Sequence, residues 1–188
     1  MDHSFRHAPG RLVALIAGAL LALPAAAPAN PFPGNGDSTV ADNGVHTYCY
    51  TSSVNDVSVV TYAMGVLDNT TDMSDLFAGS PSECWYMETD IWWWEDDQPA
   101  GIRGLRDCWL ESPNGVCTSS DIHLDYGEIN LGINDWEDRR KTAVHEVGHS
   151  IGLGHDSVSA MIVGEIPSTS LVWHLYSVHD RAHIDATY

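Results

Sequence analysis

Residues 145–156 read HEVGHSIGLGHD, and the manner in which this stretch stops being a helix decides how the rest of the chain is read. His145 and His149 stand four apart, so on a helix their imidazoles project from one face about one turn apart and can converge on a single metal ion. Glu146, beside them, can reach a water at that ion, take its proton and hand it to a leaving amine. A continuing helix would carry position 155 away from the pair. Gly152 can adopt the left-handed conformation that ends a helix in a sharp turn, Gly154 loosens the loop further, and the break returns His155 to the same ion. Three neutral imidazoles plus a water make the open tetrahedral site of catalytic zinc, not the closed four-residue site of structural zinc. Imidazole donors suit zinc and related transition ions and exclude calcium at this point.

The eleven residues HEVGHSIGLGH match HExxHxxGxxH at every fixed position, which resembles the signature of the metzincin clan of zinc endopeptidases. The resemblance extends loosely over 89–188. TDIWWW at 89–94 looks like the central strand of the matrixin branch, DIHLDYGE at 121–128 is similar to the strand and loop before its active-site helix, and SVHDRAHIDATY resembles its C-terminal helix. The clan also places a methionine turn beneath the metal, and Met161, six residues past His155, is the candidate. The resemblance implies an α+β fold in which a twisted mixed sheet of about four or five strands carries the active-site helix on one face. A smaller lower part would hold Met161 and the C-terminal helix, with His145, His149 and His155 on zinc and Glu146 as general base. It further implies a peptide substrate lying extended along an edge strand, with residues 162–172, IVGEIPSTSLV, walling a pocket for hydrophobic side chains.

Several features depart from the matrixin pattern. His123 falls where matrixins place one ligand of a second, structural zinc, but the loop carrying the others is missing, and an ordinary strand residue is expected there. No unpaired cysteine precedes the domain to act as a thiol switch. Asp156 is more like the reprolysin branch, with a local role in hydrogen-bonding the turn. Val163 replaces a tyrosine that sometimes assists catalysis in the clan. The chain is therefore read as a secreted, bacterial, matrixin-like zinc endopeptidase. The alternative is a secreted metzincin-fold or aromatic-rich binding module in which zinc is structural and Trp92, Trp93 and Trp94 contact sugar.

The rest of the 188-residue sequence is consistent with export. Arg6 and Arg11 form a basic lead, LVALIAGALLAL is a short apolar core, and PAAAPA ends in the small residues that a signal peptidase reads, so residues 1–29 are expected to be a signal peptide. The apolar run is too short to span a bilayer. Residues 30–44, NPFPGNGDSTVADNG, read as a flexible lead-in or short pro-segment, and 45–188 as a single catalytic domain. There are 26 acidic against 8 basic residues, a net charge of −18. Such a balance repels nucleic acid and anionic membranes and gives solubility to a monomer. It also admits calcium binding or a preference for cationic substrates. Four cysteines in an exported chain imply two disulfides; Cys108–Cys117 closes a short loop, leaving Cys49–Cys84.

Periodicity sketches the elements. HTYCYTSS at 46–53 alternates as a strand, and Val57, Val60, Met64 and Leu67 mark a helix face ending before Asn69. TDIWWWEDD is a buried strand with Ile91 and Trp93 on one face and Trp92 and Trp94 on the other. GIRGLRDCW and SSDIHLDY are further short strands. Asn134 is placed to cap a helix running to about Gly152, with Asp135, Glu137 and Asp138 at its positive end. Ser177 and Asp180 have capping-box spacing at the start of a closing helix.

Overall fold

The computed structural model describes residues 39–79, 89–113 and 115–188. These form an α+β fold with a mostly parallel sheet of six strands and four helices among the described residues. The strands are β1 (Val40–Ala41), β2 (Val45–Tyr50), β3 (Ser74–Phe77), β4 (Ile91–Glu95), β5 (Gly104–Glu111) and β6 (Val116–Leu124). The helices are α1 (Val57–Thr70), α2 (Tyr126–Ile129), α3 (Asp135–Ser150) and α4 (Val178–Thr187). The strand order is β1-β6-β4-β2-β3, and β5 pairs antiparallel with β6. α1 packs on α3, which in turn lies on β5 and β6.

The expectation of four or five strands is corrected to six. The additions are a two-residue strand and a four-residue one, too short to show an alternating pattern in sequence. β1 lies within the stretch read as a flexible lead-in, where Val40 and Ala41 pair in parallel with Val116 and Cys117. β3 has its exposed Leu76 and Phe77 at the edge of the sheet. Phe77 stacks on Tyr50, with ring centroids 5.3 Å apart.

The tryptophan strand is the centre of the sheet because its two faces meet different surroundings. Ile91 and Trp93 are fully buried in the core shared with α1 and α3. Trp92 and Trp94 lie on the other face, Trp92 edge-on to Trp109 at 6.3 Å and Trp94 stacked on His123 at 6.0 Å. β5 is tied to β6 by the disulfide Cys108–Cys117, with Cα atoms 5.9 Å apart. Irregular register between Cys108 and Glu111 brings these two cysteines together although neither is the other's ladder partner. Cys49 is disulfide-bonded as well, and its expected partner, Cys84, lies outside the described residues.

The helix ends explain where the helices sit. In α1 the Asp56 side chain accepts from Ser58 N–H, and the helix continues through Asn69 to Thr70, slightly beyond the expected end. In α4 both bonds of the capping box form between Ser177 and Asp180. Asn134 occupies the N-cap of α3 but makes no side-chain cap bond. The Asp138 carboxylate, fully buried one turn in, instead accepts from Ile166 N–H at 2.9 Å and ties the helix start to the segment that follows residues 145–156.

His46 on β2 supports the last turn of α3. Ser150 Oγ donates to Val147 O at 2.8 Å, so it accepts from His46 Nε2 at 2.8 Å. His46 Nδ1 is buried with no hydrogen-bond partner among the described residues. Burial first, and the Arg106 charge second, push the ring down to about 3. The unfolded chain therefore binds a proton near pH 6.5 that the folded chain refuses until about pH 3. His46 contributes stability above the unfolded value, and it is lost as pH falls through that window. In acid-unfolding curves, His46→Gln should lower stability at neutral pH. It should also flatten the limb between about pH 6 and 4 by up to ~1.4 kcal/mol per pH unit.

Candidate metal centre

Residues 145–155 fold as the glycine break requires. α3 ends at Ser150, and Gly152 has φ of 95°. Gly152 N–H donates to His149 O at 3.2 Å and Leu153 N–H to Gly148 O at 2.8 Å, the paired bonds of a Schellman turn. Gly152, not Gly154, supplies the left-handed residue. The chain then doubles back, and His145, His149 and His155 form a group in which each offers one ligand nitrogen within 4.8 Å of the others.

The nitrogens that converge are the Nε2 atoms. His149 Nε2 lies 3.0 Å from His145 Nε2 and 3.1 Å from His155 Nε2. The opposite nitrogens are committed to carbonyls, His145 Nδ1 to Ala160 O at 2.9 Å and His149 Nδ1 to Leu153 O at 2.8 Å. A carbonyl only accepts, so both Nδ1 atoms carry the proton and both Nε2 atoms present lone pairs. Two lone pairs at 3.0 Å do not make a hydrogen bond; they repel unless a cation lies between them. The spacing is close to the roughly 3.3 Å expected of two imidazole nitrogens tetrahedrally bound at 2.0–2.1 Å. Burial holds His145 well below the ordinary histidine value and His149 down at about 4, which keeps both neutral as metal ligands must be. The group therefore fits a transition-metal ion.

The turn after His155 fixes the first ligand. Asp156 accepts from Val158 N–H at 3.0 Å and Ser159 N–H at 3.1 Å, the local role expected of it. Asp156 N–H donates to Met161 O at 3.1 Å and Ile162 N–H to Ser159 O at 3.2 Å, closing the loop that carries Ala160. Met161 is fully buried, and its Sδ packs where Gly148 of α3 has no side chain.

Glu146 faces the opposite strand. It lines a cavity of about 530 Å³ together with Gly104, Leu105 and Arg106 of β5, Lys141 of α3, the three histidines, and Val163 and Gly164. Burial raises its carboxyl to about 8, opposed by Lys141 and by the N–H and guanidinium of Arg106. β5 crosses so near that a Cβ on Gly104 would stand 2.7 Å from Glu146 Oε1 and 2.7 Å from Thr142 Cγ2. Lys141 Nζ donates to Gly164 O at 3.2 Å. Arg103 stands at the same end, 3.7 Å from Asp138 Oδ1 and 3.9 Å from Glu165 Oε2.

Of the residues singled out in sequence, His145, Glu146, His149 and His155 meet at one cavity, Gly152 makes the turn and Met161 lies under the helix. Of 162–172, Val163 and Gly164 reach the cavity wall. His123 stands apart, its Nδ1 3.0 Å from the Asp96 carboxylate. Gly104, Arg106 and Lys141 were not singled out. Lys141 was legible, one helical turn before His145 on the same face; Gly104 and Arg106 become neighbours of Glu146 only through strand pairing.

No protein-family model matches the chain, and a search of curated proteins returns no match.

Gly148→Ala should push Met161 into Tyr176, whose ring a new Cβ would meet at 3.3 Å. Overpacking should outweigh the gain in helix propensity for a net loss of about 1–2 kcal/mol in urea unfolding. Unchanged or increased stability would show that the methionine turn yields freely.

Proposed function

We propose that this chain is a secreted zinc endopeptidase, a matrixin-like member of the metzincin clan with the corresponding fold. The observation that carries the reading is the convergence of three histidine Nε2 atoms, those of His145 and His149 presenting lone pairs, on a cavity that Glu146 and the edge strand β5 also line. The match of residues 145–155 to HExxHxxGxxH and the buried Met161 support the same clan.

His145, His149 and His155 would hold the zinc. When bound there, zinc supplies Lewis-acid chemistry, making water acidic enough to ionise near neutral pH and polarising a carbonyl. Glu146 takes the proton from the attacking water and passes it to the departing amine nitrogen. Its burial favours the protonated form, while Lys141 and Arg106 favour the carboxylate. A cation held by the histidines acts in the same direction as those two bases. Gly104 lets β5 lie against α3 at van der Waals distance, which encloses Glu146 and leaves the strand edge for an extended peptide.

The tryptophan row gives little support to the sugar-binding alternative. Trp93 is buried, and Trp92 and Trp94 are covered by Trp109 and His123 instead of forming an open platform. No helix among the described residues is long and apolar enough to cross a membrane. Export rests on the sequence of residues 1–29.

Casein or gelatin hydrolysis by the purified protein should be abolished by a chelator and restored by zinc, with about one tightly held zinc per chain after desalting. Glu146→Ala should lower kcat by about 10²–10⁴ while that zinc stays bound. Gly104→Ala, which displaces the carboxylate without removing it, should give a smaller loss in kcat. Undiminished turnover by Glu146→Ala would remove the mechanism.

A further inference from the structure

α4 carries a second pair of histidines four apart. His179 Nε2 and His183 Nε2 lie 3.1 Å from each other, with ring centroids 4.3 Å apart. The His145–His149 pair of α3, at 3.0 Å and 4.6 Å, has a similar separation, although its rings stand at 90° where those of α4 stand at 58°. The reason is shared: helical spacing of four puts both imidazoles on one face, directed at one point. His183 is 8% exposed, so its ring is held in place by its surroundings, while His179 is exposed and gives solvent access. Asp180, between them, is committed to the capping box, its Oδ2 accepting from Ser177 N–H at 2.8 Å.

We propose that His179 and His183 form a second, independent binding site for a divalent transition-metal ion. The donor set suits zinc, nickel or copper and does not suit calcium or magnesium. With two histidine ligands it binds more weakly than the three-histidine centre. The net charge of −18 raises the local concentration of cations around it. The site does more than decorate the surface. Tyr188, which caps the C-terminal end of α4, donates its hydroxyl to Ile151 O at 3.0 Å and accepts from Ala41 N–H at 2.8 Å. An ion bridging two turns of α4 therefore stiffens the helix that clamps the end of α3, just before the Gly152 turn, and pins β1.

The test is titration of the metal-free full chain with Zn²⁺, and separately Ni²⁺, against a chromophoric chelator, for wild type, His179→Gln and His183→Gln. His179→Gln changes an exposed residue and should fold as wild type by circular dichroism, which keeps the test valid if His183→Gln does not fold. Wild type should bind two equivalents, the weaker one raising Tm and shifting the Cε1 proton resonances of both residues. His179→Gln should weaken that equivalent roughly tenfold or more and leave the tight one intact. The proposal is overturned if wild type takes up one equivalent only, in which case the pair is a plain His–His hydrogen bond. It is also overturned if the weaker equivalent survives in His179→Gln. Loss of the tight equivalent alone would count against the three-histidine centre and leave this site standing.

Discussion

Two neutral imidazoles with their lone pairs 3.0 Å apart are the constraint around which the rest of the molecule is arranged. Each must have its other nitrogen protonated and occupied, or the ring would turn away. Ala160 O and Leu153 O do this, and both lie beyond the end of α3, fifteen residues from His145 and four from His149. The Schellman turn at Gly152 delivers Leu153, and the hydrogen-bonded loop of Asp156 to Ile162 delivers Ala160. The glycine that ends the helix thus both returns His155 and orients His149.

The setting of Glu146 depends on a different contact. β5 runs antiparallel to the rest of its neighbourhood and is held to β6 by the disulfide at Cys108 and Cys117. At Gly104 it touches α3, and Arg106 one pleat further favours the same carboxylate through its N–H and its charge, while its Nε donates to Ser120 Oγ at 3.0 Å. A buried carboxyl with cationic neighbours is a compromise between desolvation, which favours the acid, and Coulomb attraction, which favours the base.

The ends of α3 are secured from the core outwards. His46 braces Ser150 from within the sheet, Asp138 receives Ile166 at the opposite end, and Tyr176 donates its hydroxyl to Val144 O at 3.0 Å in the middle. α4 then reaches back through Tyr188 to Ile151. The C-terminal segment therefore belongs to the support of the three-histidine group even though it adds no histidine to it.

The linear sequence determined what obeys short periods. Histidines four apart, glycines that end a helix, alternation through 91–94 and the Ser177–Asp180 capping box are local, because helix and strand geometry alone place such side chains relative to one another. The candidate ligands and their order followed from these, whereas the α+β class and the place of Met161 were implied by the family resemblance of residues 145–155. What only the tertiary structure decided is what meets them. β1 and β3 were missed because two and four residues carry no readable period, and Asn134 left its cap unused while Asp138 was taken by Ile166 from a distant loop. Gly104 and Arg106 reach Glu146 through pairing across β6, and the carbonyls of Ala160 and Leu153 reach the histidines through loop closure. Side-chain direction is a local property of the backbone, whereas burial, pKa and the partner of each polar atom are set by whichever segment packs there.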